Sequence, residues 1–268
     1  MSHIVSARIN LVDLRPMVPR SDAIQAFESQ ETPIVTIVDS DGVQGTGYTY
    51  TIGTGGSSVV ALLNDHLLPK LIGRDPDEIE SIWFDLARSV NALRVGAVVA
   101  LALAAIDTAL WDLRAIRFGM PLHKLAGGAK KSIPVYSTEG GWLHLSKEAL
   151  VEDAIACKEA GFVGTKIKVG KPTLNEDIQR LSAVRDAVGP DWEILVDANQ
   201  SFNVGEAIRR ARYFEELSIG WFEEPLPADD VTGHRRLAES TSIPIAVGES
   251  IYSISSFKEY LHNNACSV

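Results

Sequence analysis

Three equally spaced carboxylates constrain the fold of this chain more than any other feature. Asp197, Glu223 and Glu249 are separated by 26 residues and then by 26 again, and each closes a short apolar run. Helical periodicity fills the stretches between them, as in residues 204–217. A spacing of 26 fits one βα repeat, so we expect the three acids at equivalent ends of neighbouring parallel strands.

The same alternation of strand and helix runs from residue 133 to the end of the chain. The predicted strands cover residues 133–137, 163–169, 193–197, 221–223 and 244–247, and the predicted helices cover residues 147–160, 174–188, 204–217, 229–240 and 255–261. Five βα units predict a parallel sheet of the TIM-barrel type, in which a closed barrel has eight units. Residues 265–268 resemble the opening of a sixth strand. We therefore predict an incomplete (β/α) barrel in a chain truncated at its C-terminus.

The first part of the chain has a different pattern. Strands are predicted over residues 4–14, 34–38 and 43–52, with a turn at residues 40–42, and helices over residues 58–68, 77–90 and 97–116. Strands followed by helices indicate an α+β domain. Glycines and a proline punctuate residues 119–128. The predicted domains are residues 1–127 and residues 128–268.

Composition narrows the functional class. The net charge of −10 argues against a nucleic-acid partner, which needs clustered Lys and Arg. The two cysteines have no metal-like spacing and are expected in a reducing cytoplasm. The longest apolar run, residues 97–106, is too short to span a bilayer, which takes about 20 residues, and no signal-peptide core is found in residues 1–20. We expect no membrane partner.

Neighbouring strands lie only about 4.8 Å apart, so three carboxylates at their ends repel one another strongly unless a cation lies among them. Oxygen ligands from separate strands suit Mg²⁺, which keeps positions open for water and substrate. Any one of the acids could instead be a helix N-cap, a common role in βα loops. As an equally spaced set, Asp197, Glu223 and Glu249 predict a magnesium site.

Two lysines precede these acids by one strand. In residues 165–169, strict alternation places Lys166 and Lys168 on one face and the apolar side chains on the other, which should pack against helices. The alternative is a pair of solvated lysines on an edge strand. Adjacent ammonium groups and a divalent cation each disfavour protonation of an amine, so a lysine here can serve as a general base.

Two further residues are candidates with weaker support, and a third polar residue is given no role at the site. Asn199 lies two residues beyond Asp197 and therefore on its face, where it either binds substrate or serves as a turn residue. His144 follows the first barrel strand and could approach the site. His234 is interpreted as a solvated residue near a helix start.

Taken together, these residues resemble the enolase superfamily, and within it the mandelate racemase-like branch. The motifs that carry the resemblance are Lys166-Ile-Lys168, Val196-Asp-Ala-Asn199, Trp221-Phe-Glu-Glu-Pro225 and Val247-Gly-Glu-Ser250. A glycine at position 248 followed by Glu249 favours this branch over the muconate-lactonizing one. The resemblance implies that the first domain caps the barrel, that Lys168 abstracts an α-proton while Lys166 contacts the substrate carboxylate, and that Asp197, Glu223 and Glu249 bind Mg²⁺.

The resemblance also implies a substrate and a reaction. A carboxylate bound to the metal would lose its α-proton to give an enediolate, most simply in the dehydration of an acid sugar, with loops at residues 17–32 and 51–56 setting specificity. The alternatives are a racemase or epimerase of an α-hydroxy acid and a catalytically silent, truncated metal-binding homologue. An imine-forming aldolase is disfavoured, because adjacent carboxylates keep a lysine protonated. The resemblance places an opposing acid on strands 6–8, and the full-length protein is expected to form homo-oligomers.

Overall fold

A computed structural model describes residues 2–268, which divide into two compact units. The first comprises the chain up to Met17 together with Phe27–Lys131, and the second comprises Val18–Ala26 and Ser132–Val268. The division at residue 131 lies four residues beyond the boundary expected from the sequence. The short segment Val18–Ala26 belongs with the second unit although it precedes most of the first in sequence.

The first unit contains an antiparallel sheet in the order β1-β2-β3. The strands are β1 (Ile4–Asp13), β2 (Glu31–Asp39) and β3 (Gln44–Tyr48). A tight turn joins β2 to β3, where the amide of Gly42 donates to the carbonyl of Asp39 at 3.0 Å. Gly42 has a φ of 82°, a conformation that glycine adopts without the cost that a Cβ imposes.

Helices follow the sheet and complete the predicted α+β unit. They are α1 (Gly56–Leu62), continued by a π-helical turn (Leu63–Leu67) and a 3-10 turn (Leu68–Leu71), then α2 (Ile79–Ser89), α3 (Ala97–Arg117) and α4 (Leu122–Leu125), with a 3-10 turn (Asn91–Leu93) between α2 and α3. Helix α3 lies so close to β3 that a Cβ at Gly47 would come within 2.2 Å of the Ala105 carbonyl oxygen. Among residues 2–268, no helix has the length and apolar character needed to cross a membrane.

The second unit contains a parallel sheet whose strand order follows the chain order, β4-β5-β6-β7-β8. The strands are β4 (Tyr136–Ser137), β5 (Gly164–Lys168), β6 (Glu193–Asp197), β7 (Phe222–Glu223) and β8 (Ile245–Ala246). The helices are α5 (Lys147–Glu159), α6 (Leu174–Val188), α7 (Val204–Glu216), α8 (Val231–Ala238) and α9 (Ile254–His262). Five strands alternating with five helices confirm the prediction of an incomplete (β/α) barrel.

The last residues of the chain lie along the outer edge of β8. The amide of Ser267 donates to the carbonyl of Ile245 at 2.8 Å, and the amide of Val247 donates to the carbonyl of Val268 at 3.2 Å. No strand is assigned to residues 265–268, but these bonds put them where a sixth strand would pair.

The interpretation of His234 as a solvated residue is wrong. Helix α8 begins at Val231, so His234 lies one turn inside it on the face that carries the buried Leu237, and its exposure is 0%. Its Nδ1 lies 2.9 Å from the carbonyl oxygen of Asp230 and 3.2 Å from the Tyr260 hydroxyl of α9. Burial lowers the pKa of His234, against the opposing effect of Asp230.

A lowered pKa makes His234 a source of acid sensitivity. The unfolded chain binds a proton near pH 6.5 and the folded chain binds it only at lower pH, so stability present above pH 6.5 is lost as the pH falls, at up to about 1.4 kcal/mol per pH unit. In urea unfolding between pH 7.5 and 5.5, His234→Gln should show a flatter pH dependence than the wild type. The exposed His262 supplies the control, and an equal flattening in His262→Asn would contradict this assignment.

Candidate metal centre and active site

Strand register brings the predicted acids and lysines to one edge of the sheet. Lys168 is the register partner of Asp197, and Asp197 is the register partner of Glu223. The partner of Glu223 on β8 is Ala246, so Glu249 lies three residues beyond the aligned position. Equal spacing in sequence therefore does not give equal register, and the chain after β8 carries Glu249 to the site.

The three carboxylates nevertheless converge. One oxygen from each of Asp197, Glu223 and Glu249 lies within 4.8 Å of the others. Asp197 is fully buried, Glu223 is half-buried and Glu249 is exposed. Three hard oxygen donors at this separation could hold one divalent cation and leave its outer positions open.

Both lysines point at this cluster. The Lys166 Nζ lies 2.9 Å from Glu223 Oε1 and 3.2 Å from Asp197 Oδ2, and the Lys168 Nζ lies 2.6 Å from Asp197 Oδ2. Their side chains are only 10% and 12% exposed, which excludes the reading of two solvated lysines on an edge strand. The alternating residues Ile167 and Val169 are buried in the apolar core of the second unit.

The charges of the acids and the lysines in this cluster shift one another's pKa values. Burial by itself lowers the pKa of Lys166, but the charges of Asp197 and Glu223 outweigh it and raise the pKa above its usual range. Burial and the charge of Asp197 raise the pKa of Glu223, against the opposing charge of Lys166. The ammonium groups thus act as counterions for the carboxylates, and a divalent cation would compete with them for the same oxygens.

Asn199 lies beside the acids, and its carbonyl oxygen has no partner. Its backbone N–H donates to Asp197 Oδ1 at 3.0 Å, and its side-chain Nδ2 donates to Glu249 Oε1 at 3.3 Å. The Oδ1 atom is buried without a hydrogen bond to any described residue. A buried acceptor costs free energy unless something donates to it. Asn199 also has a φ of 43°, so it serves as a turn residue at the same time.

Two further residues, Gln200 and Glu224, join the strand ends, and of these only Gln200 was not singled out from the sequence. Gln200 donates from Nε2 to Ser250 Oγ at 2.8 Å and accepts from the amide of Ala228 at 2.8 Å. Glu224 is buried, and burial, partly offset by Ser250 and reinforced by the charge of Glu249, raises its pKa to about 7. Gln200 and Glu224 both have positive φ, at 65° and 38°, and such strained conformations concentrate at functional sites.

Two tryptophans also border the cluster, and neither was predicted. Trp221 donates from Nε1 to Glu223 Oε2 at 3.2 Å. The Lys168 Nζ lies 5.5 Å from the centroid of the Trp142 ring, within the range of a cation–π interaction. Apolar residues next to a polar site give no periodic signal in the sequence. His144, in contrast, is exposed, and its Nδ1 pairs with the hydroxyl of Ser21 at 3.1 Å.

Comparison with known proteins identifies the family. Residues 6–127 match the mandelate racemase / muconate lactonizing enzyme N-terminal domain, and residues 149–268 match the enolase C-terminal domain-like family. Together these matches span most of the chain. The chain belongs to the enolase superfamily, in its mandelate racemase-like branch, as the motifs at the strand ends predicted.

Two relatives of known activity are similar over most of the chain. The L-talarate/galactarate dehydratase of Salmonella typhimurium is 34% identical over 265 residues, which cover 96% of this chain and 66% of the relative. The 3,6-anhydro-α-L-galactonate cycloisomerase of Streptomyces coelicolor is 39% identical over 224 residues, which cover 83% of this chain and 62% of the relative. The chain thus spans less than two thirds of the length of these two proteins.

A solved structure agrees with the fold described above. The crystal structure of the Salmonella typhimurium dehydratase liganded with Mg and L-lyxarohydroxamate superposes with a TM-score of 0.93 at 34% identity. The match covers 99% of this chain and 69% of that one. Magnesium is therefore the metal found in a close structural relative.

Proposed function

We propose that this chain carries the magnesium site and the general base of an enzyme that removes the proton α to a carboxylate. The observation that carries the proposal is the convergence of five side chains at one sheet edge, from three consecutive strands and the loop after the fourth: Lys166, Lys168, Asp197, Glu223 and Glu249. An ordinary surface ion pair needs one basic and one acidic side chain, whereas this site brings together two lysines and three acids. The magnesium-bound relative supports the choice of metal.

Each side chain has a distinct task in this proposal. Asp197, Glu223 and Glu249 hold the cation, and Asn199 holds Asp197 and Glu249 in place through its amide groups. Lys168 accepts the α-proton at Nζ, since it lies beside the carboxylate cluster with one close partner. Lys166, which contacts two of the acids, directs its ammonium group toward a substrate carboxylate. A bound divalent cation would acidify the α-proton and stabilise the enediolate that its removal leaves.

The substrate that we propose is an acid sugar that undergoes dehydration. Similarity to the talarate/galactarate dehydratase supports this choice. The higher identity to a cycloisomerase favours intramolecular ring chemistry on an acid sugar as a second candidate. Both reactions begin with the same removal of an α-proton, so the chemistry of Lys168 and the metal is common to them.

The segment Val18–Ala26 supports a role of the predicted loop at residues 17–32 in substrate recognition. It lies in the second unit, where the carbonyl of Ser21 accepts from the amide of Leu143 at 3.0 Å. Arg20 pairs with Glu139 at 2.8 Å, and its Cζ lies 5.8 Å from the same Trp142 ring that Lys168 approaches. Because Arg20 and the proposed base Lys168 lie near the same Trp142 ring, the Arg20 guanidinium is placed to bind a distal carboxylate or hydroxyl of an acid sugar.

The proposal predicts magnesium-dependent exchange of the substrate α-proton. The chain is incubated in deuterated water with Mg²⁺ and a panel of aldonic and aldaric acids, and loss of the α-proton signal is followed by NMR. Exchange with at least one acid sugar is expected, and chelation of the metal should abolish it. Exchange is the suitable measurement because it needs only the base, the metal and a carboxylate.

Product analysis then separates the candidate reactions. A 2-keto acid indicates dehydration, a ring-rearranged isomer indicates cycloisomerisation, and an inverted hydroxy acid indicates racemisation. Binding of Mg²⁺ in calorimetry without exchange of any acid in the panel would reject the enzymatic proposal and leave a metal-binding homologue.

A further inference from the structure

A network of charged side chains lies behind the end of β5, outside the metal centre. Its members are Asp177 and Arg180 on α6, and Glu206 and Arg210 on α7. Asp177, Arg180 and Arg210 are 0%, 5% and 3% exposed. Their side chains hydrogen-bond to backbone groups and to charged side chains of α6 and α7 rather than to the three acids of the metal centre. Binding of a metal therefore does not explain why these charged side chains are buried.

Arg180 ties the base-bearing strand to the loop that carries Trp142. Its Nη1 donates to the carbonyl of Lys168 at 2.8 Å, and its Nη2 donates to the carbonyl of Trp142 at 3.0 Å. The side chains of these two residues also approach each other, with the Lys168 Nζ 5.5 Å from the centroid of the Trp142 ring. One planar guanidinium therefore fixes the separation of the two main-chain segments, a task that its rigid fork performs better than a flexible ammonium.

The residues that follow Lys168 are held by the rest of the network. Asp177 Oδ2 accepts from the amide of Gly170 at 2.8 Å and also receives a short bond from Arg210. Arg210 donates from Nη2 to the carbonyl of Lys171 at 3.1 Å, and Glu206 accepts from its Nε at 2.6 Å. Charged side chains thus bond backbone groups at three of the four positions from Lys168 to Lys171.

Glycine at position 170 makes this segment dependent on the network. Gly170 has a φ of 118°, and a Cβ there would come within 2.6 Å of Ala23 Cβ in the segment Val18–Ala26. A glycine has more conformational freedom than any other residue, so the strand end needs external restraint to keep one geometry. Hydrogen bonds that Asp177 accepts and that Arg180 and Arg210 donate supply that restraint.

Stability alone does not account for such a network. Buried charges pay a desolvation penalty, and well-packed apolar residues of similar volume are often equally or more stabilising. What an apolar replacement cannot do is bond the carbonyls of Lys168 and Trp142 in a fixed geometry. We propose that Arg180, whose Nη1 lies 3.8 Å from Asp177 Oδ1, is a positioning residue that sets, with the help of Arg210, where the Lys168 amine meets the substrate. The catalytic part of this inference rests on the proposed function of Lys168.

The test compares Arg180→Met and Arg180→Lys with a matched control on the same helix. A misplacement of about 1 Å can cost about 100-fold in rate, so Arg180→Met should lower the α-proton exchange rate at saturating substrate by about that factor with little change in KM. Arg180→Lys keeps one donor to a carbonyl and should lie between the wild type and Arg180→Met. The Mg²⁺ affinity should stay within twofold of the wild type in both variants.

Arg185 supplies the control. It also lies on α6 and bonds carbonyls, including those of Trp192 at 2.6 Å and Leu217 at 3.0 Å, but it lies near the C-terminal end of the helix, whereas Arg180 lies near its middle. Arg185→Met should destabilise the fold by a similar mechanism and leave α-proton exchange within twofold when measured well below the unfolding temperature. Equal losses of exchange in Arg180→Met and Arg185→Met would overturn the positioning role.

Amide hydrogen exchange tests the structural step without any activity. In Arg180→Met, or in Arg180→Lys if the methionine variant does not fold, the amides of residues 169–171 should exchange about tenfold faster through local opening, while those of residues 194–196 stay protected. Unchanged protection at residues 169–171 would overturn the inference. Loosening there in a protein whose wild type exchanges no substrate proton would uphold the restraint of the strand end and reject the proposed function instead.

Discussion

Replacing Lys168 by alanine is expected to lower magnesium-dependent exchange of the substrate α-proton by about 10²- to 10⁴-fold, the usual contribution of a general base. The Lys168 Nζ lies 2.6 Å from Asp197 Oδ2, and Lys166, the other amine of the cluster, is shared between two acids. Loss of the Lys168 amine removes the proton acceptor and leaves the metal ligands in place. NMR in deuterated water measures the effect.

Two further variants separate proton transfer from charge. Lys168→Arg keeps a cation beside Asp197 but cannot release its proton in the working pH range, so exchange should be lost as fully as in the alanine variant. Lys147→Ala removes a lysine whose side chain is 50% exposed on α5, and exchange should stay unchanged. Exchange at the wild-type rate in Lys168→Ala would reject Lys168 as the base.

Replacing Asp197 by asparagine is expected to abolish the stabilisation that Mg²⁺ gives to the fold. A ligand present at 100 times its Kd stabilises the folded state by about 2.7 kcal/mol. Asp197 is the most buried of the three acids and the one that contacts both lysines, so its neutral analogue removes a ligand charge and a counterion together. Urea unfolding with and without Mg²⁺ should show the full gain in the wild type and none in the variant.

An exposed acid near the start of the same strand supplies the control for this measurement. Asp191 lies two residues before β6, and Asp191→Asn should retain the wild-type response to Mg²⁺. If Asp197→Asn gains as much from Mg²⁺ as the wild type does, the cation binds elsewhere and the proposed ligand set is wrong.

Periodicity in the sequence was sufficient to predict the architecture of the second unit. Strand β6 and helix α6 have the predicted bounds, because each has a continuous pattern closed by a clear signal, such as the Thr173–Glu176 capping box before α6. Strands β7 and β8 are shorter than predicted, at two residues each. Strand β7 omits Trp221 from the start of its predicted run, and β8 omits Pro244 and Val247 from the two ends of its run. Glu223 remains on its strand, whereas Glu249 lies in the loop after β8.

The parts of the site that sequence reasoning missed depend on long-range geometry. Arg180 and Arg210 have the appearance of ordinary helix-surface residues in the sequence, and only the packing of α6 and α7 behind β5 reveals their burial. His234 misled in the same way, since a shift of one residue, about 100° around the helix, decides whether a helical residue faces water or core. The pairing of Gln200 with Ser250 joins residues 50 apart, which no local pattern predicts.

The five side chains at the sheet edge also determine the charge that the site prefers to bind. Two ammonium groups and three carboxylates leave it with a net charge of minus one, close enough to neutral to be folded without a metal. A divalent cation would reverse this to plus one, and a single substrate carboxylate would then bring the whole assembly to zero. With both lysines protonated, the state that precedes release of the Lys168 proton, charge balance is thus complete only when cation and monoanionic group are both bound, so each should strengthen the binding of the other.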